Sequence, residues 1–551
     1  MSLLSTTELF ALCLTAIGCR RVYTLPADLS LPILGGLEVL DIEIVSVANE
    51  EAMVIAGDIE AHLTGFSLLI ATDGYSVSKL INGLIAARLR YSPLLVVVIS
   101  HDPALVNRSL LNCHPQPSRL GVMMHSIGLE CISVHNLPSC QSFFKAFRAP
   151  QFAQQPVVLN FTSSDVLNLR WDLKANLQAL VPSPASLSSE STNEKFDELL
   201  TTFPDLILIF GNGINRHRSK LTGRTLTDSI SQRFLLLPSA KGCLNEDDPR
   251  CIGLFQGDHS NSDVLTAFHN ASTFLLVEVE DYEFHASFWQ PYSKVSNCCL
   301  RDELIKKDKT VFQLSESNGL VLENISFRPI DWLSKLFQRS SVGKFQNLDF
   351  PSSSYVPTHD SSIYDQLVNL LNGQLVPMVL IADVGISCLP LFNWFVRSES
   401  VFVSNHVWSN MGYSFSAGLA AAKIFPNKDL WIVCGDGSAV MAMQDMLMFV
   451  RESLPVKIII LDNHGYLTEN LKTPGSFNRG FDIDWCLFAK SIGYGYAAKV
   501  QTSESLNTPF EYFAHTDAPQ SLLSIEIPQQ SVPNQLKKCM TWDLFRRATS
   551  L

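Results

Sequence analysis

The stretch from 430 to 470, LWIVCGDGSAVMAMQDMLMFVRESLPVKIIILDNHGYLTEN, restricts the fold more than any other part of the chain. An apolar run at 430–434 ends in a glycine turn, a helix-length segment follows, and a second apolar run at 456–461 ends in a polar turn. Two short β-branched runs around one helix read as a βαβ unit. Its crossover is right-handed and its strands are parallel, so the residues just past each strand share one edge of the sheet. Asp436 and Asn463 thereby meet. The turn Gly435-Asp436-Gly437-Ser438 opens the helix, where free backbone N–H groups and the positive dipole end receive phosphate oxygens and glycine lets the backbone come close. Asp436 offers a carboxylate oxygen, Asn463 an amide oxygen and Gly465 a backbone carbonyl, which with diphosphate oxygens and water complete an octahedral Mg²⁺ shell. The segment reads as a diphosphate clamp.

The same alternation of strand and helix recurs along the chain. Strand-like runs lie at 42–47, 67–71, 94–99 and 157–160, then at 206–210 and 275–279, and again at 378–381, 430–434, 456–461 and 522–527. The expected fold is α/β, with three Rossmann-like domains built on mainly parallel sheets. Ser- and Pro-dense stretches at 181–193 and 349–362 mark the joints. The expected domains are therefore 1–180, 194–345 and 356–540. Such a length exceeds one compact core. With 41 basic against 53 acidic residues the net charge is −12, which argues against nucleic acid as the main partner and for small-molecule chemistry. The 46% hydrophobic and 17% charged content is that of a large, well-buried globular protein.

Thirteen cysteines, Cys298 and Cys299 adjacent among them, show neither zinc spacing nor a disulfide framework, which favours reduced thiols and a cytoplasmic location. The apolar run at 9–19 has no basic residue before it and Arg20 and Arg21 after it, so it reads as an amphipathic helix rather than a signal peptide. No run reaches the roughly 20 apolar residues that span a bilayer, so no membrane association is expected.

The spacing of 27 positions between Asp436 and Asn463, in a strand-GDG-helix-strand-Asn-x-Gly layout, resembles the thiamin diphosphate motif. The resembled family usually has Asn-Asn where this chain has Asp462-Asn463, and the ligand, the second residue, is kept. Thiamin diphosphate and Mg²⁺ are the cofactors this implies. The family places a glutamate against the pyrimidine ring nitrogen, and Asn49-Glu50, after the run at 42–47, resembles the Asn-Glu pair that opens the corresponding helix. Residues 408–418, WSNMGYSFSAG, resemble the segment under the bent cofactor. Met411 stands at the apolar prop, and Ser409 stands where the family often has a glycine whose carbonyl takes the 4′-amino group. The same resemblance assigns Gly435, Gly437, Ser438 and Val384 to cofactor binding.

Four further matches resemble the pyruvate and indolepyruvate decarboxylase branch of 2-oxo acid decarboxylases. VYTLPADLSLPIL contains Asp28, MMHSIG contains His125, GYLTEN contains Glu469, and AKGCLNEDDPRCIGLFQGDHS resembles a stretch of the central domain. The resemblance implies a pyrimidine-binding first domain, a central domain and a diphosphate-binding third. It implies that Glu50, Asp28 and His125 of one chain serve the cofactor held by another, hence a homodimer at minimum and a homotetramer as the larger option. Asp28, His125 and Glu469 would share the proton transfers. The family's paired histidines are Met124-His125 here, which opens the alternative of a carboligase that captures the intermediate with a second carbonyl. Cys388, where pyruvate-specific relatives carry a bulky aromatic, and Thr468, in place of a branched aliphatic, point to a branched, aromatic or otherwise extended 2-oxo acid. A flavin-containing synthase or a non-catalytic cofactor-binding relative are the lesser alternatives.

Overall fold

The computed structural model describes residues 3–73, 75–102, 120–137, 139–172, 200–203, 205–221, 231–257, 260–279, 310–315, 319–321, 362–397, 399–472, 474–501, 505–528, 531 and 533. The expected domain joints near 180 and 355 lie outside the described residues. The chain divides into two compact units, one of residues 1–185 with 415–426 and 442–452, the other of the remainder.

The first unit contains an antiparallel pair, β1 (Leu3–Ser5) with β8 (Arg170–Asp172), and a six-stranded parallel sheet. The sheet comprises β2 (Arg21–Thr24), β3 (Glu43–Ser46), β4 (Ser67–Thr72), β5 (Leu94–Ser100), β6 (Glu130–Ser133) and β7 (Val157–Thr162), in the order β3-β2-β4-β5-β7-β6. Strands such as Leu-Leu-Val-Val-Val-Ile-Ser in β5 are buried almost throughout, as a parallel sheet covered on both faces requires. The apolar run at 9–19 forms the helix Thr6–Ile17, opened by a Ser5/Glu8 capping box and closed by Gly18 at φ +83°. It buries Leu9, Phe10, Cys13 and Leu14, and the Phe10 ring lies 5.5 Å from each of Phe143, Phe147 and Phe161. These rings fill the core on one face of the sheet.

The second unit holds the other two sheets. One comprises β9 (Ile207–Phe210), β10 (Arg233–Leu236), β11 (Cys251–Leu254), β12 (Thr273–Val277), β13 (Thr310–Ser315) and β14 (Gly319–Val321), in the order β11-β10-β9-β12-β13-β14 with only β14 antiparallel. The other comprises β15 (Met378–Ala382), β16 (Val401–Ser404), β17 (Asp429–Gly435), β18 (Val456–Asp462), β19 (Tyr496–Val500) and β20 (Gln520–Glu526), in the order β16-β15-β17-β18-β20-β19 and parallel throughout. Counted from its own first strand, this sheet winds 2-1-3-4-6-5, the same order as the sheet of the first unit. In such an order the connections turn in opposite directions from the first strand, and the crevice opens between strands one and three, here β15 and β17, at their carboxyl ends. The two sheets of the second unit are stapled by Arg218, whose guanidinium bonds the Lys241 carbonyl and the Phe402 carbonyl, and by Glu246, which pairs with Lys241 at 2.8 Å and receives the Val396 N–H.

The three-sheet α/β architecture agrees with the sequence reading, and each of the ten strand-like runs coincides with an observed strand. Short or polar strands such as β2, β16 and β19 were not legible. Arg-Val-Tyr-Thr and Tyr-Ala-Ala-Lys-Val carry too few apolar residues to stand out from their surroundings. Among the described residues no helix is long and apolar enough to cross a membrane.

Candidate active site

The register that pairs Gly435 of β17 with Leu461 of β18 brings the two polar turns side by side at the carboxyl edge. Asp436, the first residue of the helix Asp436–Met441, is buried there, and its carboxylate receives the backbone N–H groups of Asn463, Gly437 and Gly465. Burial, then the charge of Asp462, pushes Asp436 up to about 6 against those three donors. One oxygen of the carboxylate, Oδ1, is buried without a hydrogen-bond partner, and so is Oδ1 of Asn463. Two buried acceptors left bare at one edge would cost several kcal/mol unless a cation takes them. Hard oxygen donors from a carboxylate, an amide and a backbone carbonyl suit Mg²⁺. Among the described residues no group of three or more His, Cys, Asp or Glu is placed to hold a metal ion.

Gly465 is held against the strap at 478–480. The Gly480 N–H bonds the His464 carbonyl at 2.8 Å and the Tyr466 N–H bonds the Asn478 carbonyl at 2.9 Å. A Cβ on Gly465 would sit 2.3 Å from the Asn478 carbonyl oxygen. Asp462, which departs from the resembled pattern, accepts the His464 backbone N–H at 3.2 Å, and the ring Nδ1 of His464 lies 3.4 Å away. This carboxylate therefore steadies a left-handed His464, at φ +60°.

The segment at 408–418 folds back toward the same turn. Ser409 sits at φ +62°, its hydroxyl donating to the His406 carbonyl and its N–H to the Asn405 carbonyl, both at 2.7 Å. A glycine would adopt this conformation without strain, which accounts physically for the resembled family's preference. Met411 reaches the Gly435–Ser438 turn, its Cε 3.2 Å from where a Gly437 Cβ would stand, with Tyr466 Cε1 at 3.0 Å from the same point. A side chain at 437 would press on both. Val384 follows β15, and the preceding residue, Asp383, was missed in the sequence. It is fully buried and bonded to this segment. Cys388 is buried nearby in sequence, and burial raises its thiol to about 12. Thr468 and Glu469 lie in the first turn of the helix Leu467–Lys472, Glu469 exposed.

In the first unit Asn49 caps the helix Glu50–Thr64, its side-chain oxygen accepting the Ala52 N–H at 2.9 Å. Glu50 is thereby the first helical residue and is buried. Its Oε1 accepts the Ser76 hydroxyl at 2.8 Å, while Oε2 lies 3.3 Å from Lys79 Nζ but receives no aligned hydrogen bond. One buried carboxylate oxygen is thus available to a ring nitrogen. Glu51 is engaged elsewhere, accepting from Asn82 at 2.6 Å. The Asn49 amide also approaches Asp445 at 3.5 Å, and Ser416 donates to that carboxylate. Asp28 lies in the turn before the helix Leu31–Val39, and His125 in the last turn of the helix Leu120–Ser126; both are exposed. Met124, in place of the missing histidine, is buried in its own unit.

Comparison with known proteins agrees with this geometry. Residues 4–117 match the family model for the thiamine pyrophosphate enzyme N-terminal TPP binding domain, and residues 383–522 match that for the C-terminal TPP binding domain. The chain is 23% identical over 478 residues to pyruvate decarboxylase isozyme 3 of Saccharomyces cerevisiae, covering 83% of each chain. It is 24% identical over 472 residues to a pyruvate decarboxylase of Kluyveromyces marxianus, covering 82% of each. Its match to a pyruvate decarboxylase of Neurospora crassa is 22% identical and spans 98% of this chain and 95% of the other. Both matched domains are those of thiamine pyrophosphate enzymes, and the similarity to pyruvate decarboxylases along most of the chain supports a thiamin diphosphate-dependent 2-oxo acid decarboxylase, a carboxy-lyase.

Proposed function

We propose that the protein decarboxylates a branched, aromatic or otherwise extended 2-oxo acid to an aldehyde and CO₂ without oxidation, in a Mg²⁺-dependent reaction. The observation that carries the Mg²⁺ requirement is the pair of buried, unpartnered oxygens, Asp436 Oδ1 and Asn463 Oδ1, on adjacent turns of one sheet edge. With the Gly465 carbonyl they hold the metal, while Gly435, Gly437 and Ser438 line the diphosphate. Bound thiamin diphosphate supplies the electron sink for the pair left behind by CO₂. Glu50 uses Oε2 to hold the pyrimidine ring nitrogen and govern its proton. Met411, Ser409 and Val384 shape the cradle. Asp28, His125 and Glu469 move protons on the substrate side, and their exposed positions suit groups that face a pocket completed by a second chain. A homodimer is the minimum assembly in this reading. The small Cys388 and the hydroxyl of Thr468 support the larger, more polar substrate pocket. The nine described cysteines are free thiols, which supports a reducing, cytoplasmic setting.

The test incubates purified protein with thiamin diphosphate, Mg²⁺ and a panel of aliphatic, branched and aromatic 2-oxo acids, measuring CO₂ and identifying the organic product by mass spectrometry. Aldehyde in equal amount to CO₂, abolished in Glu50→Gln, is the expected result. Accumulating acyloin would replace the decarboxylase reading with the carboligase. Cofactor binding without CO₂ from any acid would reject catalysis of this reaction class.

A further inference from the structure

Asp383 is a buried carboxylate to which the reaction described above gives no part. It follows β15, at the switch between β15 and β17, and its backbone N–H bonds the Val433 carbonyl of β17 at 2.9 Å. The side chain is wholly inaccessible to solvent. Its Oδ1 accepts the N–H of Val384 at 2.9 Å and that of Gly412 at 3.3 Å, and its Oδ2 accepts the N–H of Ser414 at 2.9 Å. The Ser438 hydroxyl bonds the same carboxylate.

Burying an ionised carboxylate costs several kcal/mol unless donors surround it. Here the donors come from three separate stretches of chain: the turn of Val384, the turn of Met411 and the turn that opens with Asp436. Ser414 lies in the first turn of the helix Tyr413–Ile424, where N–H groups lack partners within the helix and a negative charge is favoured. Gly412 sits at φ +82°, so the chain reverses immediately after Met411, and the Asp383 bond to its N–H fixes where that reversal occurs. The tolerance for error is small, because the Met411 Cε packs at 3.2 Å against the space above Gly437.

We propose that Asp383 is the positioning residue of the cofactor cradle, one carboxylate that sets the Met411 prop and the diphosphate turn in register with each other. This rests on the thiamin diphosphate reading above. It predicts that the loss of the carboxylate disturbs cofactor binding and turnover beyond any loss of stability, because the groups it ties together are those assigned above to the cofactor.

The test compares wild type with Asp383→Asn, which keeps the shape and replaces one acceptor with a donor that faces an N–H. Thiamin diphosphate affinity is measured in the presence of Mg²⁺ by quenching of tryptophan fluorescence, together with near-ultraviolet circular dichroism of the loaded protein and kcat and KM at saturating cofactor. The expected outcome is at least a tenfold weaker affinity, an altered dichroism signature, and at least a tenfold lower kcat with the oxo acid KM unchanged. A second variant pair places Asp383→Asn in a Met411→Ala background, where the fall in kcat should shrink to less than threefold because the prop is already gone. If Asp383→Asn does not accumulate folded, Asp383→Glu keeps the charge, displaces it by one methylene and is held to the same criteria. Wild-type affinity, dichroism and kcat in the folded variant, with only a lower unfolding midpoint, would overturn the inference and leave Asp383 a structural anchor. Failure of the wild type itself to bind thiamin diphosphate would overturn the underlying reading, and the inference with it.

Discussion

Gly465→Ala is a direct perturbation of the sheet edge proposed to hold the metal, and its cost follows from two backbone contacts. A methyl group at 465 would stand 2.3 Å from the Asn478 carbonyl oxygen and 3.0 Å from the Gly480 nitrogen. Both are backbone atoms and neither is able to rotate away. Separating the strap by about 1 Å, the amount needed to restore van der Waals contact, breaks the Gly480 N–H bond to His464 and the Tyr466 N–H bond to Asn478. At about 1 kcal/mol for each of the two bonds, with overpacking strain of about 1–3 kcal/mol, the expected loss is about 3–5 kcal/mol. The displaced residue also carries the carbonyl assigned to the metal, so affinity for thiamin diphosphate with Mg²⁺ should fall together with the urea midpoint of the cofactor-free protein. Gly480→Ala attacks the same approach from the other side, its Cβ 2.8 Å from the Gly465 Cα. The double variant should then cost less than the two single variants combined, since the strap separates only once. A Gly465→Ala protein with the wild-type urea midpoint and wild-type cofactor affinity would refute the argument.

Three further outcomes are expected. Burial, with the charge of Glu51 adding to it, raises Asp445 from 3.8 to about 6 against the Ser416 hydroxyl that holds it down. The folded protein therefore binds more protons than the unfolded chain between those values, and stability falls as pH rises through that window. Asp445→Asn should gain on the order of 3 kcal/mol relative to wild type between pH 4 and pH 7, and a pH-independent difference in urea unfolding would contradict this. At Ser409 both Ala and Gly remove the hydroxyl bond, but only Ala keeps a Cβ at φ +62°; Gly should be the more stable by about 1 kcal/mol, and equal midpoints would reject strain at this position. Phe10→Ala empties the centre of the aromatic cluster and should cost about 3–5 kcal/mol in denaturant unfolding followed by circular dichroism. A cost below 1 kcal/mol would show that the cluster collapses to fill the space.

The parts of the site that were legible are those encoded locally. β17, the Gly-Asp-Gly turn, the helix and β18 form one continuous βαβ unit, so the meeting of Asp436 and Asn463 follows from handedness alone. Glu50 was reached only through the resemblance of Asn49-Glu50 to a family pair, since a helix-start acid by itself fits Glu51 equally well; the structure places Asn49 at the cap and both acids in the first turn. Asp383 was not, because its value lies in partners such as Gly412 and Ser414, 29 and 31 positions away, and no local pattern marks an acid that serves distant N–H groups. The left-handed backbone at Ser409 was equally hidden, since serine gives no sign of a turn that glycine would have announced. The edge strand β19 escaped for a simpler reason: partial burial dilutes its apolar pattern, whereas β16, Val-Phe-Val-Ser, is apolar and buried but only four residues long.

The shared winding of the first and third sheets has a consequence for how the chain reaches its native state. Two sheets with the order 2-1-3-4-6-5 offer each other's strands a geometrically acceptable seat, so a chain that collapses all at once has a competing assembly built into it. Synthesis removes the competition in time. Roughly 200 residues separate the end of β7 from the start of β15, which at typical ribosomal rates is a delay of roughly 10–40 s. The first sheet is able to close before any strand of its counterpart leaves the ribosome. The differently wound sheet between them serves as a spacer in time as well as in sequence, an ordering that a chain diluted out of denaturant lacks.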